Sequence, residues 1–127
     1  MSRATGFAWG DAPLGPGVRL LRAHPSGLAA LDKPPGVLSH PNTAADQPRA
    51  LLAAPYDPGE QAFTWSTPDG HVHRVWLLHR LDSATSGLVL VASAPRLATA
   101  VREAFEQRRV HKRYVALVLG HPRERQA

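Results

Sequence analysis

Twelve prolines and ten glycines are spread along 127 residues, and this punctuation limits what the chain can build. Proline removes a backbone donor and fixes φ, and glycine favours turns. Few long helices are therefore expected, and short elements joined by many turns. Apolar residues make up 43% of the chain and charged residues 20%, enough for the core of one soluble domain. Residues 1–16, rich in Gly, Pro and Ala, read as a loose arm or irregular lead-in, and the folded domain is expected to start at residue 17.

Within that frame the apolar runs are short. Val18–Arg22 and Leu28–Asp32 read as strands around the turn Pro25-Ser26-Gly27, forming a hairpin. Phe63–Trp65 and Val72–Leu78 flank Pro68-Asp69-Gly70 and predict a second hairpin. Ser86–Ala92 reads as a buried strand, apolar on both faces. A helix is expected next, capped by Ser93, with Pro95 in its first turn and Leu97, Val101 and Phe105 facing the core. A short helix around Arg49–Ala53 and a last apolar strand, Tyr114–Leu119, complete the reading. The class is α+β, with a mixed, mostly antiparallel sheet and a flanking helix.

Fifteen Lys and Arg against ten Asp and Glu give a net charge of +5. From Arg102 to Arg125 the chain carries Arg102, Arg108, Arg109, Lys112, Arg113, Arg123 and Arg125 against three Glu. Such a patch fits either a nucleic-acid partner or a solvated surface. There are no cysteines, which excludes disulfides, thiol catalysis and Cys-type zinc sites. No 18-residue apolar run is present, so no membrane partner is expected, and Met1–Gly6 lacks the apolar core of a signal peptide. A cytoplasmic location follows as the expectation.

The densest chemical signal is His79-Arg80-Leu81-Asp82-Ser83-Ala84-Thr85-Ser86-Gly87-Leu88. Asp82 lies between the apolar runs Val75–Leu78 and Leu88–Val91, where the chain leaves the sheet. A carboxylate placed there is expected to be partly desolvated and surrounded by N–H and hydroxyl donors, conditions that tune a nucleophile or base. The plainer alternatives are that Asp82 caps its own turn or pairs with Arg80. His71, His73, His79 and Asp82 also raise the question of a metal, although His71 follows a turn; no metal is expected.

The ten-residue stretch resembles the signature of RluA-type pseudouridine synthases. Leu31-Asp32-Lys33-Pro34-Pro35-Gly36, followed by Ser39-His40-Pro41, is similar to that family's early Lys-Pro-x-Gly motif. Val110, Lys112, Tyr114, Ala116, Val118 and Gly120 resemble its Val-x-Lys-x-Tyr-x-Ala-x-Val-x-Gly strand. The resemblance implies an RNA-modifying isomerase acting on ribosomal or transfer RNA, with no cofactor. It implies Asp82 as the catalytic residue, Arg80 as the side chain filling the gap left by the flipped uridine, and Tyr114 as the aromatic on the target base. His79, Thr85, Lys112 and Arg113 fall in the same motifs and are expected to bind substrate or RNA. It also implies that residues 17–127 are the N-terminal part of a catalytic domain, because relatives continue with a motif whose Arg pairs with the catalytic Asp. An inactive RNA-binding relative, prone to self-associate, is the alternative; a metal-dependent hydrolase using His71, His73 and Asp82 is a third.

Overall fold

A computed structural model describes residues 9–117 and 119–120. Six strands form one sheet: β1 (Arg19–Ala23), β2 (Leu28–Lys33), β3 (Tyr56–Asp57), β4 (Ala62–Ser66), β5 (Val72–Leu77) and β6 (Gly87–Ala92), followed by helix α1 (Pro95–Glu106). Their order across the sheet is β1-β2-β6-β5-β4-β3. All of these pairings are antiparallel, so the expected mixture does not extend to the sheet; among the described residues, parallel pairing is confined to one isolated bridge between Leu38 and Ala50. Both predicted hairpins form. In the second, Thr67 and His71 close the turn by a backbone bond of 2.9 Å, with the Gly70 N–H returning to the Thr67 carbonyl.

Side-chain alternation divides the core in two. Ala29 and Leu31 of β2, Phe63 of β4, Val75 and Leu77 of β5, and Val89 and Val91 of β6 point to one face and are buried there. The face is covered by Trp9 of the lead-in, by Val18 just before β1, and by Ala50, Leu51, Leu52 and Ala54 from the loop before β3. Residues 9–16 are packed: Trp9–Asp11 form a short 3-10 helix, Leu14 is bridged to Leu52, and the Gly15 N–H lies on the Leu51 carbonyl.

The opposite face carries Leu28, Trp76, Leu90 and Ala92, and α1 lays Leu97, Ala98, Val101 and Phe105 on it. Thus β6 is apolar on both faces, as read, except that Leu88 is exposed.

Three expectations are corrected. The helical turn before β3 is a 3-10 helix at Ala44–Arg49, not a helix at 49–53; the Thr43 N–H bonds the Asp46 carboxylate, and the following residues run extended to fill the core. Ser93 does not cap α1: the cap position is Ala94, and Ser93 instead gives its N–H to the Gly27 carbonyl. Residues 111–117 form no strand. An apolar run becomes a strand only when its backbone finds a ladder partner, and none of the six strands pairs with it. Tyr114, Val115 and Leu117 are exposed. Val118, Arg123 and Arg125 lie outside the described residues.

Arg102 also differs from the basic-patch reading. Its guanidinium spans from α1 to the sheet, donating to the carbonyls of Leu77 (2.7 Å), Gln61 (3.1 Å) and Glu60 (3.3 Å). It joins the helix to the β4–β5 end of the sheet rather than facing solvent. Arg102→Met keeps the aliphatic stem, removes these charge-assisted bonds and leaves the part-buried Leu77 carbonyl without its guanidinium donor, and is expected to cost about 2 kcal/mol. A denaturant midpoint measures this; an unchanged midpoint would return Arg102 to the surface patch.

Candidate active site

The chain between β5 and β6 carries the ten-residue motif, and its backbone is held from beneath by the segment after β2. Lys33 ends β2 in register with Gly87 of β6. The strand's alternation turns the Lys33 side chain into the core, where it is fully buried. An ammonium has three donors. Here they meet three carbonyls: Val37 at 2.6 Å, Pro34 at 3.1 Å and Ser83 at 3.1 Å. Burial pulls the Lys33 pKa below its ordinary value of 10.5, and the nearby Asp82 charge acts in the opposite direction.

Two further contacts complete the clamp. The Gly36 N–H donates to the same Ser83 carbonyl at 2.6 Å. Gly36 has φ +90, a conformation that other residues rarely adopt, so glycine is what lets the Lys-Pro-Pro-Gly turn aim this N–H. The buried Ser39 hydroxyl donates to the Leu81 carbonyl at 2.8 Å and accepts the Leu81 N–H at 2.9 Å. Leu81 and Ser83 are thus both fixed, with Asp82 between them. The Thr85 N–H closes the turn on the Asp82 carbonyl at 3.0 Å, and Gly87, with φ +133, returns the chain to β6.

The Asp82 side chain is exposed, as are Ser83 and Ala84. The expectation of a partly desolvated carboxylate surrounded by donors is corrected: the clamp acts on the loop's backbone and leaves the Asp82 carboxylate facing outward. Nor does Asp82 pair with Arg80. The Arg80 guanidinium lies 2.8 Å from Nε2 of His40.

Beside this loop a cleft of about 680 Å³ opens between β6 and the chain after α1. His79, Thr85, Lys112, Arg113 and Tyr114 all line it, together with Leu81, the residue before Asp82. Five of the seven residues singled out from sequence are therefore brought together around one space. Asp82 and Arg80 lie on the adjoining loop.

His79 has a second task. Its Nε2 accepts the Leu90 N–H at 3.0 Å, and its ring packs at 4.8 Å on Phe105 of α1. Lys112 stands over the same Phe105 ring, at 5.5 Å from its centroid. Two histidines of the metal question are employed elsewhere: His71 Nδ1 pairs with Asp69 at 2.8 Å, and His73 packs against Trp65. No group of three or more potential ligands gathers for a metal among the described residues. Lys33, Ser39 and His40 of the early motif carry no assigned role in the sequence. For Lys33 the available signal is parity, since a Lys on the inward side of β2 requires buried acceptors.

A family model described as RNA pseudouridylate synthase matches residues 27–127. Similar curated proteins include an uncharacterized RNA pseudouridine synthase of Mycobacterium bovis, 40% identical over 97 residues, or 75% of this chain and 29% of that protein. The tRNA pseudouridine synthase C of Haemophilus influenzae is 37% identical over 95 residues, covering 74% of this chain and 35% of its own length. The dual-specificity RNA pseudouridine synthase RluA of Vibrio parahaemolyticus is 32% identical over 94 residues, 74% of this chain and 32% of its own length. The chain therefore spans about a third of the relatives it matches. No solved structure gives a significant match.

Burial, with the Lys112 charge adding to it, holds the His79 pKa below its ordinary value of 6.5. The unfolded chain therefore takes up a proton at this residue before the folded one does. Its contribution to stability is complete above 6.5 and is lost as pH falls through that value, until the folded ring also protonates. His79→Phe is expected to flatten this slope and, by orphaning the Leu90 N–H, to cost about 1–3 kcal/mol at neutral pH. Urea midpoints across a pH series test both parts; an unaltered slope would contradict the buried acceptor.

Proposed function

The chain belongs to the RNA pseudouridylate synthase family, and from that premise we propose that it isomerises uridine to pseudouridine in ribosomal or transfer RNA with Asp82 as the catalytic group. The observation that carries the proposal is the placement of Asp82. Its neighbours Leu81 and Ser83 are pinned by Ser39, Gly36 and Lys33, and its carboxylate is free at the edge of a cleft lined by the remaining motif residues. A reactive group on a rigid backbone with an accessible side chain suits attack on a substrate that enters from solvent.

The reaction breaks the N1–C1′ bond, turns the base and joins C5 to C1′. It is redox-neutral and needs no added group, so the work falls to the side chains. Asp82, as a carboxylate, acts at the sugar, either on C1′ or on the C2′ proton. Tyr114, on the cleft wall, offers a ring face to the uracil once it has left its stack, offsetting an unstacking cost of a few kcal/mol. Lys112 and Arg113 supply positive charge at the same wall for phosphates, Thr85 supplies a hydroxyl, and Arg80 supplies the guanidinium that replaces the flipped base. Residues 17–127 then form the N-terminal part of the catalytic domain.

In the protein, Asp82→Asn should reduce pseudouridine formation to the level without enzyme. The substitution conserves shape and removes only the charge. RNA affinity should be retained or slightly strengthened, because a negative charge facing a polyanion is lost. Chemical labelling of pseudouridine reads the first effect and filter binding the second. Undiminished turnover would contradict the role of Asp82.

A further inference from the structure

Arg80 meets a histidine ring and not a carboxylate. Arginine has donors only, so His40 Nε2 must be the acceptor at 2.8 Å. The other ring nitrogen, Nδ1, lies 3.2 Å from the Pro41 carbonyl and must carry the proton. Two contacts of opposite demand therefore define one neutral tautomer. The ring plane is fixed as well. His40 stacks on Tyr56 with centroids 5.2 Å apart and planes 17° from parallel, and Tyr56 packs at 4.9 Å on the fully buried Phe63 of β4. Contacts thus run from the core through Tyr56 and His40 to Arg80, two residues before Asp82. Burial raises the Tyr56 phenol above its ordinary pKa, and the Arg80 charge is the foremost influence opposing that rise.

We propose that His40 is a positioning residue, whose neutral imidazole aims the Arg80 guanidinium at RNA beside Asp82 without neutralising it. The proposal rests on the reading of the cleft as an RNA site. The choice of acceptor is the chemical point. A carboxylate holding Arg80 would cancel the charge, and a phosphate would have to displace it. An imidazole nitrogen uses one N–H, leaves the full charge, and leaves the remaining N–H groups for phosphate or a base edge. Arg80 takes part in no ion pair among the described residues, consistent with a charge held in reserve. Because the contact is exposed, it contributes little to stability, so its consequence is orientation.

The test measures binding of a single-stranded, uridine-containing RNA oligomer to the protein and to His40→Ala, His40→Gln, Arg80→Ala and the double Ala variant. His40→Ala is expected to weaken binding by about tenfold, a misplaced rather than missing cation. His40→Gln, whose amide oxygen can replace Nε2 as acceptor, should recover most of it. In the Arg80→Ala background His40→Ala should change nothing further. Loss of the Tyr56 stack should lower the thermal midpoint of both His40 variants alike, so a difference in affinity between them reads orientation and not stability. Undiminished affinity in His40→Ala, an equal loss in both backgrounds, or failure of Gln to rescue would each overturn the proposal. Turnover separates the two readings. A protein that binds RNA and shows this pattern without making pseudouridine contradicts the role of Asp82 and leaves that of His40 standing. A protein that binds no RNA overturns both.

Discussion

A buried ammonium is the contact on which the arrangement depends. Taking a charge such as that of Lys33 out of water costs several kcal/mol unless its donors are met. The structure meets them with three carbonyls, from Pro34, Val37 and Ser83. The first two come from the next few residues, and the third comes from 50 positions along the chain. That third bond can form only when β2 lies beside β6 with Lys33 opposite Gly87. A shift of one residue would turn Lys33 out of the core and remove the anchor from the loop. Strand register and placement of the Asp82 loop are therefore one constraint.

The clamp divides labour between backbone and side chains. Backbone groups of Leu81 and Ser83 are fixed by Ser39, Gly36 and Lys33, while Asp82 and Arg80 project outward. Precision is thus obtained without burying the group proposed to react, which would disfavour its charged form. The cleft beside it is walled by β6 on one side and by the chain after α1 on the other. The helix is in turn tied to the sheet by Arg102 and seated on His79 through Phe105. Membership of the RNA pseudouridylate synthase family gives this geometry its chemical setting.

The regular elements were legible because each carried a local signal. Period-two alternation and the turns Pro25-Ser26-Gly27 and Pro68-Asp69-Gly70 gave the two hairpins, and the Leu97, Val101, Phe105 spacing gave α1. What escaped depended on partners distant in sequence. Ala50, Leu51 and Leu52 fall in the stretch Arg49–Ala53 that reads as a short helix, yet with Ala54 they fill the core as irregular chain, packed against strands that sequence alone does not place nearby. The 111–117 segment has strand composition and no ladder. In the site, the loop motif and the grouping of His79, Thr85, Lys112, Arg113 and Tyr114 were readable. Lys33, Ser39 and His40 were not assigned, because their partners Ser83, Leu81 and Arg80 lie 40 or more positions away.

The clamp implies that a loop outside the sheet ladder is as firmly held as the strands that flank it. Native-state amide hydrogen exchange tests it directly at Gly36 and Leu81, whose N–H groups donate to the Ser83 carbonyl and the Ser39 hydroxyl. Both amides should exchange as slowly as those in the β2–β6 ladder, and Ser39→Ala should release Leu81 while leaving the β4–β5 amides unchanged. Exchange of Gly36 and Leu81 at the rate of an open loop in the unaltered protein would contradict the clamp.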